Sequence, residues 1–304
     1  MSFGGDADED TSAAMFARCR DAGINFFDCA DVYSNGRAEE ILGRLMAGSR
    51  DELVITSKVC GAMGTDVNAR GLSRRHIALA LEDSLRRLGT DRLDLYFIHN
   101  WDPLAPMEES LRAFEDLARQ GKILYPAVSN WAAWQIVKGL GLQEARAWSR
   151  FQCVQPMYSL AKRQAEVEIL PLVQAEGLGA ISYSPLGGGL LSGKYTAANR
   201  PQQGRLVENS MYTQRYAGAT YFEVAERFTA YAHDKGIHPA TLAVAWVRSH
   251  PAITAPIIGA RNVEQLGASL AAAEVDMTPE WRAEVSALSP EPPPATDRTE
   301  EKRA

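Results

Sequence analysis

Residues 73–99 read SRRHIALALEDSLRRLGTDRLDLYFIH, a helical pattern that leads directly into the pattern of a buried strand. Ser73 is a suitable helix N-cap, and Gly89 suits the left-handed position at the end of a helix. Between them, apolar residues recur every three or four positions and predict one buried helix face: Ile77, Leu81, Leu85 and Leu88. The run Leu93–Ile98 is nearly continuously apolar, which is typical of a parallel strand covered on both faces.

The same alternation extends along most of the chain. Short apolar runs occur at Ile24–Phe27, Leu53–Thr56, Leu93–Ile98, Ile123–Tyr125, Phe151–Val154, Leu178–Ile181 and Ile253–Ile258. Helical patterns that begin at Pro106 and Pro239 lie between such runs, and most strand starts are separated by the length of a βα unit. The alternation predicts an α/β protein with a (β/α)8 TIM barrel, and a doubly wound open sheet is the next choice.

Seven strands are readable in the sequence and an eighth is not. Met1–Gly5 has the pattern of the tail of a strand, so we expect the first barrel strand to be truncated at the N-terminus. We assign residues 1–288 to the barrel domain and expect residues 289–304, which have almost nothing to bury, to form a disordered tail. The polar stretch Asn199–Gly218 predicts a long connection of the kind that forms lids.

Composition restricts the classes of function. The 304 residues are 46% hydrophobic and 23% charged, as in an ordinary globular protein, and the net charge of −6 provides no basic footprint for nucleic acid. No apolar run is long enough to span a bilayer, and no N-terminal segment has the pattern of a signal peptide. The 4 cysteines lie far apart without CxxC spacing. We therefore expect a cytoplasmic protein with no metal site, disulfide framework or membrane contact.

Ionisable side chains stand at the ends of the first three predicted strands. They are Asp28, Lys58 and His99, and Tyr33 follows shortly after Asp28. Each one alone has an ordinary structural interpretation, such as a turn cap, a half-buried aromatic residue or a lysine with its ammonium group in water. Because the carboxyl ends of barrel strands converge on one face, the four residues together predict an active site.

This set of residues suits proton transfer to a carbonyl oxygen. Tyrosine is a weak acid near neutral pH, and a nearby cation such as Lys58 stabilises its phenolate. Asp28 would keep the lysine charged and oriented, and His99 would hydrogen-bond the carbonyl group of the substrate. None of these side chains carries a hydride, so the chemistry requires a redox cofactor.

Two common nucleotide-binding motifs do not fit the sequence. No GxGxxG follows the first strand, so a Rossmann site is not indicated. Gly188–Lys194 resembles the start of a Walker A motif, but Tyr195 occupies the position of the magnesium-binding Ser or Thr. A glycine-rich turn is the better interpretation of this segment.

The chain resembles the aldo-keto reductase family, in the branch that includes potassium-channel β-subunits and bacterial predicted oxidoreductases. The segments that carry the resemblance occur in the family's order between about Phe3 and about Ala273: DAGINFFDCADVYSNGRAEEILG, LVITSKV, LSRRHIALALEDSLRRLGTDRLDLYFIHNWDP, GKILYPAVSNW, ISYSPLGGGLLSGKY and PIIGARNVEQL. The resemblance implies NADPH-dependent reduction of an aldehyde or ketone to an alcohol.

The resemblance also implies roles for individual residues. Asp28, Tyr33, Lys58 and His99 match the family's catalytic tetrad, with Tyr33 as the proton donor. The remaining matches concern the cofactor: Ser129, Asn130 and Gln155 at the nicotinamide carboxamide, Tyr183 on the nicotinamide ring, Ser184, Pro185, Leu186 and Gly187 along the pyrophosphate, and Gly259, Ala260, Arg261 and Gln265 at the adenosine end with its 2′-phosphate. Arg261 suits a phosphate because its planar fork binds bidentately.

A few positions depart from the family's pattern. Ala268 and Ser269 replace a glutamate and an asparagine on the adenine side, and Ala127 replaces the glycine before the VSN motif. We expect a small-molecule carbonyl substrate and no nucleic-acid or membrane partner, and the oligomeric state stays open. Two alternatives to an active reductase also stay open: an NADPH-binding regulatory or sensor subunit with slow or vestigial turnover, and an inactive truncated paralogue.

Overall fold

The structure, a computed structural model, describes residues 1–195 and 204–296. It divides into two compact units. The first comprises Met1–Gln155 and Gly259–Leu266, and the second comprises the described residues of Pro156–Ile258 and Gly267–Ala304. The chain therefore leaves the first unit after Gln155 and contributes one further short segment to it much later.

Five parallel strands form the sheet of the first unit, in the order in which the chain supplies them. They are β1 (Phe26–Asp28), β2 (Val54–Val59), β3 (Leu93–Ile98), β4 (Ile123–Ser129) and β5 (Cys153–Gln155). The register pairs Asp28 with Thr56 and Ser129 with Gln155. Most residues of β2 and β3 are buried on both faces, as the continuous apolar runs predict.

Helices alternate with these strands along the first unit. They are α1 (Glu9–Asp21), α2 (Arg37–Leu45), α3 (Arg74–Leu88), α4 (Met107–Arg119) and α5 (Ala133–Ala145). The predicted limits of α3 are confirmed, because the Ser73 hydroxyl accepts the His76 N–H at 3.2 Å and Gly89 follows the helix with a φ of 62°. The predicted apolar stripe of α3 is buried.

Two close contacts fix the packing within this unit. A Cβ at Gly43 of α2 would lie 2.7 Å from the Leu88 carbonyl oxygen, so only glycine lets α2 approach the end of α3 this closely. Between β3 and α4, the Tyr96 and Phe114 rings stack with centroids 5.1 Å apart, and both side chains are fully buried. Such close packing restricts the positions of the strand ends.

The second unit contains two parallel strands, β6 (Gly179–Ser182) and β7 (Ala255–Pro256). The sequence predicts a longer β7 from the run Ile253–Ile258. The strand is short because Pro256 has no N–H to donate, although Thr254 donates to Ala180 O and Ile257 donates to Ser182 O at 2.8 Å each. The predicted apolar run is therefore correct in position and too long in extent.

Helices make up most of the second unit. They are α6 (Ile169–Ala175), α7 (Arg205–Glu208), α8 (Ser210–Arg215), α9 (Ala219–Asp234), α10 (Pro239–Arg248) and α12 (Pro279–Ser286), while α11 (Val263–Leu270) contributes residues to both units. The predicted connection Asn199–Gly218 differs from a simple loop, because Asn209 caps α8 by accepting the Met211 N–H at 3.1 Å. Its residues 199–203 lie outside the described part of the chain.

Neither end of the described part of the chain forms a strand. Met1–Asp8 forms turns in which the Gly4 N–H donates to Ala7 O at 2.8 Å. Seven strands thus occur in the described residues, which agrees with the expected incomplete first strand. Residues 289–296 contain no helix or strand, and the last part of the predicted tail, 297–304, is outside the described residues. None of the described helices is long and apolar enough to cross a membrane.

Arg50 joins the start of β2 to the start of β3. Its guanidinium group donates to the carbonyl oxygens of Leu53 and Arg92 at 2.9 Å each and to Asp94 Oδ2 at 2.8 Å. The same Asp94 oxygen accepts the Ile55 N–H at 2.8 Å. Since both side chains are mostly buried, with 16% and 17% of their surface exposed, Arg50 satisfies groups that water reaches poorly.

We expect Arg50→Ala to lower the free energy of unfolding by about 3 kcal/mol, because it leaves the mostly buried Asp94 carboxylate without its cation and removes one donor from each of two carbonyl oxygens. Arg44→Ala is the matched control, since Arg44 pairs with Glu9 on the exposed surface, where ion pairs contribute little. Urea unfolding of both variants measures the difference. Equal losses of stability in the two variants would contradict this assignment.

Candidate active site

The polar residues predicted at the strand ends occupy the carboxyl end of the sheet in the first unit. Asp28 ends β1, Lys58 is next to last in β2, and His99 directly follows β3. Ser129 and Gln155 end β4 and β5. Because the strands are parallel and in register, the fold brings these side chains to one edge of the sheet.

Lys58 makes the most contacts in this group. Its side chain is fully buried, and Nζ donates to Asp28 Oδ2 and to the Cys29 carbonyl oxygen at 2.6 Å each. Nζ also donates to the Tyr33 hydroxyl oxygen at 3.4 Å. Three oxygen atoms therefore accept the three N–H groups of the ammonium ion.

The charge of Lys58 depends on Asp28. Burial, the largest single influence, would lower the pKa of Lys58, but the adjacent Asp28 carboxylate, together with Tyr33 and Cys29, raises that pKa above its ordinary value. Lys58 is therefore an ammonium ion at neutral pH. The Asp28 carboxylate also accepts hydrogen bonds from the Thr56 hydroxyl and the Gln155 amide at 2.9 Å each. These donors hold the carboxylate in one orientation beside the lysine.

Tyr33 begins a single 3-10 turn, Tyr33–Gly36, shortly after β1. Ser34 and Asn35 in this turn have positive φ angles of 50° and 54°. Burial raises the pKa of Tyr33 to about 12, although the Lys58 ammonium group opposes this change. The sequence predicts the effect of Lys58 on the pKa of Tyr33, but burial has the larger effect on it. Tyr33 therefore keeps its proton at neutral pH and has it available to donate.

His99 stands with its ring edge-on to Tyr33. The ring centroids are 5.8 Å apart, with an angle of 79° between the planes. Burial, assisted by the positive charge of Lys58, lowers the pKa of His99 to about 4. The imidazole is therefore neutral at pH 7 and carries a single N–H. Its Nδ1 is buried and has no hydrogen-bond partner among the described residues.

The three residues predicted at the nicotinamide carboxamide lie beside this group. The Asn130 amide donates to His99 O at 2.9 Å and to the Ser129 hydroxyl at 3.2 Å, and its backbone has a φ of 57°. The Ser129 hydroxyl in turn donates to the Gln155 carbonyl at 2.9 Å. Gln155 connects them to the tetrad, because its side-chain amide donates to Asp28.

These three side chains fit a nicotinamide group. A carboxamide presents one carbonyl acceptor and one NH2 donor, and amide and hydroxyl side chains offer the complementary groups. Asn130 is exposed, whereas Ser129 and Gln155 are buried with 1% and 2% of their surface exposed. Because Gln155 Nε2 is already engaged with Asp28, its Oε1 is the atom suited to accept an N–H of a ligand.

The residues predicted at the adenosine end also belong to the first unit. Arg261 Nε lies 3.4 Å from Asp6 Oδ2, and the Arg261 backbone N–H donates to Gln265 Oε1 at 3.3 Å. Apart from its chain neighbours, no described residue lies within 4 Å of the position that a Cβ would occupy at Gly259. Ala260 is buried at the same turn. This segment thus places an open backbone position two residues before the Arg261 cation.

The remaining predicted cofactor residues lie in the second unit. Tyr183 follows β6 directly, and its N–H donates to Pro156 O at 2.9 Å. Ser184 and Gly187 have positive φ angles of 59° and 58°, and the Gly187 N–H donates to Ser184 O at 2.8 Å. Pro185 lies within this turn, and Leu186 packs against the buried Val244, Ala245 and Ala272.

The structure adds one residue that the sequence argument misses. Thr56 lies in a predicted strand and is fully buried, and its hydroxyl donates to Asp28. The signal that could have identified it is a polar residue at the end of the apolar run Leu53–Thr56, two positions before Lys58. Thr56 is a positioning residue for the carboxylate.

Comparison with known proteins agrees with this geometry. A model of the Aldo/keto reductase family matches residues 1–289. The chain belongs to the aldo/keto reductase family. The uncharacterized oxidoreductase YrpG of Bacillus subtilis is 36% identical to it over 304 residues, which cover 96% of this chain and 91% of that protein.

Relatives of other kinds are nearly as similar. A probable voltage-gated potassium channel subunit beta of Oryza sativa is 35% identical over 314 residues, covering 98% of this chain and 93% of that protein. The norsolorinic acid reductase stcV of Emericella nidulans is 32% identical over 296 residues, covering 94% and 74% of the two chains.

Membership in the aldo/keto reductase family confirms two predictions from the sequence. The fold class is the (β/α)8 barrel, and the chain is an NAD(P)H-dependent oxidoreductase. The family acts on small carbonyl substrates with nicotinamide cofactors. In the described residues, the strand-end side chains that the sequence predicts for such a reaction lie at one edge of a parallel sheet.

The low pKa of His99 predicts a loss of stability in acid for this aldo/keto reductase. An unfolded His99 binds a proton near its ordinary pKa of 6.5, whereas the folded protein binds it only near pH 4. The unfolded state therefore gains protons first, and stability falls as the pH drops from about 6.5 to about 4. We expect the wild type to lose up to about 3 kcal/mol more than His99→Gln over this interval.

Urea unfolding at about pH 7 and about pH 4 measures this difference. His233→Gln is the control, because His233 is exposed on α9 and its replacement should leave the acid loss of the wild type unchanged. A pH dependence of His99→Gln that parallels the wild type would contradict a buried, neutral His99.

Proposed function

We propose that this chain reduces an aldehyde or ketone to an alcohol with NADPH, and that Tyr33 donates the proton. The observation that carries the proposal is the buried Lys58 ammonium group, which contacts both Asp28 and the Tyr33 hydroxyl. A cation in this place stabilises the phenolate that Tyr33 becomes when it gives up its proton. A purely structural lysine would not need to be buried against a tyrosine hydroxyl.

The tetrad divides the chemistry among its members. NADPH, when bound, supplies the hydride that reaches the carbonyl carbon. The Tyr33 hydroxyl transfers its proton to the carbonyl oxygen, so that the carbonyl group gains one hydride and one proton and becomes an alcohol. Lys58 stabilises the resulting phenolate, and Asp28 keeps Lys58 charged. Solvent then returns a proton to Tyr33.

The pKa values support these roles. A tyrosine with a pKa of about 12 is fully protonated at neutral pH, and a developing alkoxide is more basic than its phenolate. Proton transfer is therefore favourable at the moment when negative charge appears on the substrate oxygen. Neutral His99 can donate its N–H to the same oxygen without bringing a second positive charge next to Lys58.

The cofactor residues extend the proposal beyond the tetrad. Ser129, Asn130 and Gln155 hold the carboxamide, while Tyr183 and the turn Ser184–Gly187 bind the nicotinamide ring and the pyrophosphate. Gly259, Ala260, Arg261 and Gln265 hold the adenosine end. We choose NADPH over NADH because Arg261 lies in this segment and its planar guanidinium group suits bidentate binding of a 2′-phosphate.

Two tryptophans favour a small or aromatic carbonyl substrate. Trp101 follows the His99 strand end, and its ring meets the Trp131 ring edge-on with centroids 5.1 Å apart. Trp131 directly follows Asn130 and is 3% exposed. An aromatic pair that follows the ends of β3 and β4 would suit a flat, apolar substrate group.

The second candidate function is a cofactor-binding regulatory subunit. The likeness to a probable potassium channel subunit beta over 98% of this chain favours it. Turnover separates the two candidates, since fold does not. Rapid steady-state reduction of common aldehydes supports the enzyme, and tight NADPH binding with negligible turnover supports the regulatory subunit.

We expect Tyr33→Phe to reduce kcat for aldehyde reduction by about 10²- to 10⁴-fold, because the variant lacks the proton donor. NADPH binding, measured by quenching of protein fluorescence, should stay close to that of the wild type. Tyr231→Phe is the matched control, since its hydroxyl contacts Glu284 in the second unit. Full turnover by Tyr33→Phe would refute its role as the acid.

The preference for NADPH should depend on Arg261. We expect Arg261→Ala to weaken NADPH binding by about 10- to 100-fold and to leave NADH binding unchanged, because only NADPH carries the phosphate. Asp6→Asn should strengthen NADPH binding, since it removes the competing carboxylate. Arg92→Ala, which removes an equal charge from a surface ion pair, is the control. Parallel losses for both cofactors would contradict the assignment.

A further inference from the structure

Asp31 is a buried acid next to the proton donor that the proposed mechanism does not use. It lies in the turn between β1 and Tyr33 and has 0% of its surface exposed. Its Oδ1 accepts the Val32 N–H at 2.7 Å, and its own N–H donates to the Lys58 carbonyl oxygen at 3.3 Å. Asp31 therefore ties the turn that carries Tyr33 to the strand that carries Lys58.

A second buried acid lies on the neighbouring helix. Glu39 of α2 is also 0% exposed, and it accepts a hydrogen bond from the Ser57 hydroxyl. Its other oxygen accepts the Arg87 Nε–H at 2.6 Å. Ser57 is adjacent to Lys58 in β2, so the hydrogen bond from Ser57 connects Glu39 to the strand that carries Lys58.

Arg87 also lies against the Tyr33 turn. A Cβ at Gly36, the last residue of that turn, would stand 2.8 Å from Arg87 Cδ. Gly36 has a φ of 88°, so glycine is required there both for the backbone and for the space that Arg87 fills. The Arg87 side chain is 18% exposed, and its guanidinium group bonds directly to Glu39.

The positive charges near Asp31 and Glu39 do not fully offset the cost of burying both carboxylates. Burial and the negative charge of Glu39 raise the pKa of Asp31 to about 7, while the Val32 N–H, Arg87 and Lys58 oppose this change. The titratable groups facing Asp31 are Glu39 of α2, Arg87 of α3, Lys58 of β2, Cys60 after β2 and Tyr96 of β3. Asp31 Oδ2 and the Tyr96 hydroxyl are buried without hydrogen-bond partners among the described residues.

We propose that Asp31 is a positioning residue of the reduction: its carboxyl group fixes the Val32 backbone in the Tyr33 turn, which the Asp31 N–H ties to the Lys58 strand, and its charge is governed by the Glu39–Arg87 pair. The proposal rests on the proposed role of Tyr33 as proton donor. Its physical basis is that Oδ1 fixes the backbone at Val32, one residue before Tyr33. A hydroxyl that must approach both Lys58 and a substrate oxygen tolerates little displacement.

Two substitutions separate positioning from charge. Asp31→Asn keeps an oxygen that can accept the Val32 N–H, whereas Asp31→Ala does not. We expect Asp31→Ala to lower kcat for aldehyde reduction by about 10-fold with KM and the Kd for NADPH nearly unchanged, and we expect Asp31→Asn to retain most of the activity. Amide hydrogen exchange in residues 31–36 should be about 3- to 10-fold faster in Asp31→Ala than in Asp31→Asn.

Asp66→Ala is the matched control. The Asp66 carboxylate also accepts a backbone N–H at 2.7 Å, from Asn68, but in an exposed loop. Its replacement should change neither kcat nor exchange in residues 31–36. Equal exchange in Asp31→Ala and Asp31→Asn, or equal kcat in the two variants, would overturn the positioning role.

The charge of Asp31 has a separate test in thermal unfolding. A carboxyl group with a pKa of about 7 in the folded state and an ordinary value of 3.8 when unfolded stabilises the fold only while protonated. That stability is present below about pH 4 and is lost as the pH rises through about 7. Asp31→Asn mimics the protonated acid, so the amount by which its Tm exceeds that of the wild type should grow by a few degrees between about pH 5 and about pH 8.5.

Glu39→Gln tests the control of this charge by the neighbouring pair. It removes the competing carboxylate and leaves Arg87 to balance Asp31, so the pKa of Asp31 should fall. The Tm difference between Glu39→Gln and the double variant Glu39→Gln/Asp31→Asn should therefore change with pH around a lower midpoint than the corresponding difference in the wild-type background. A Tm difference that is constant between about pH 5 and about pH 8.5, or a midpoint unmoved by Glu39→Gln, would overturn the assignment.

The readouts distinguish failure of this inference from failure of the proposed function. Hydrogen exchange and Tm report on Asp31 whether or not the chain turns over. If Tyr33→Phe keeps full activity while Asp31 behaves as expected in exchange and Tm, the role of Tyr33 fails and with it the catalytic part of the inference. If Tyr33→Phe is inactive while Asp31→Ala leaves kcat and exchange unchanged, the inference alone fails.

Discussion

The buried contact between Lys58 and Asp28 is the constraint on which the site depends. Neither charge is stable alone in the interior, since removing one partner of a buried ion pair typically costs about 3–5 kcal/mol. The pair persists because every donor and acceptor is satisfied: Cys29 and Tyr33 receive the other ammonium hydrogens, and Thr56 and Gln155 donate to the carboxylate. The parallel register of β1, β2 and β5 must hold for these contacts to form together.

The same contact influences the neighbouring groups. An uncompensated lysine would lose its proton on burial, and Tyr33 would then have no cation beside its oxygen. Burial keeps His99 neutral, and the charged lysine adds to that effect, so no second cation forms beside Lys58. The ion pair thus fixes the charge of Lys58, while burial keeps the proton on Tyr33 and the charge off His99.

Much of this arrangement is readable in the sequence because it follows from local patterns. Ser73 and Gly89 mark the ends of α3, and apolar runs mark the strands, since caps and burial act over a few residues. Asp28, Lys58 and His99 were identifiable because each polar residue ends or follows such a run. The shortened β7 and the net rise in the pKa of Tyr33 were not, because they depend on pairing and burial that distant segments create. The cap at Asn209 is local, but it lies in a polar stretch without the apolar pattern that marks a helix. Likewise, the pairing of Arg87 with Glu39 joins residues that no spacing rule connects.

The membership of Gly259–Leu266 in the first unit has a consequence for how the protein is made. A ribosome delivers Met1–Gln155 first, so the strands that carry the proton-transfer residues can assemble while the rest of the chain is still being synthesised. The segment that bears Arg261 emerges more than a hundred residues later. Under the proposed function, a nascent chain would therefore bring Tyr33, Lys58 and Asp28 together well before Arg261 is available to bind the adenosine end of a nucleotide.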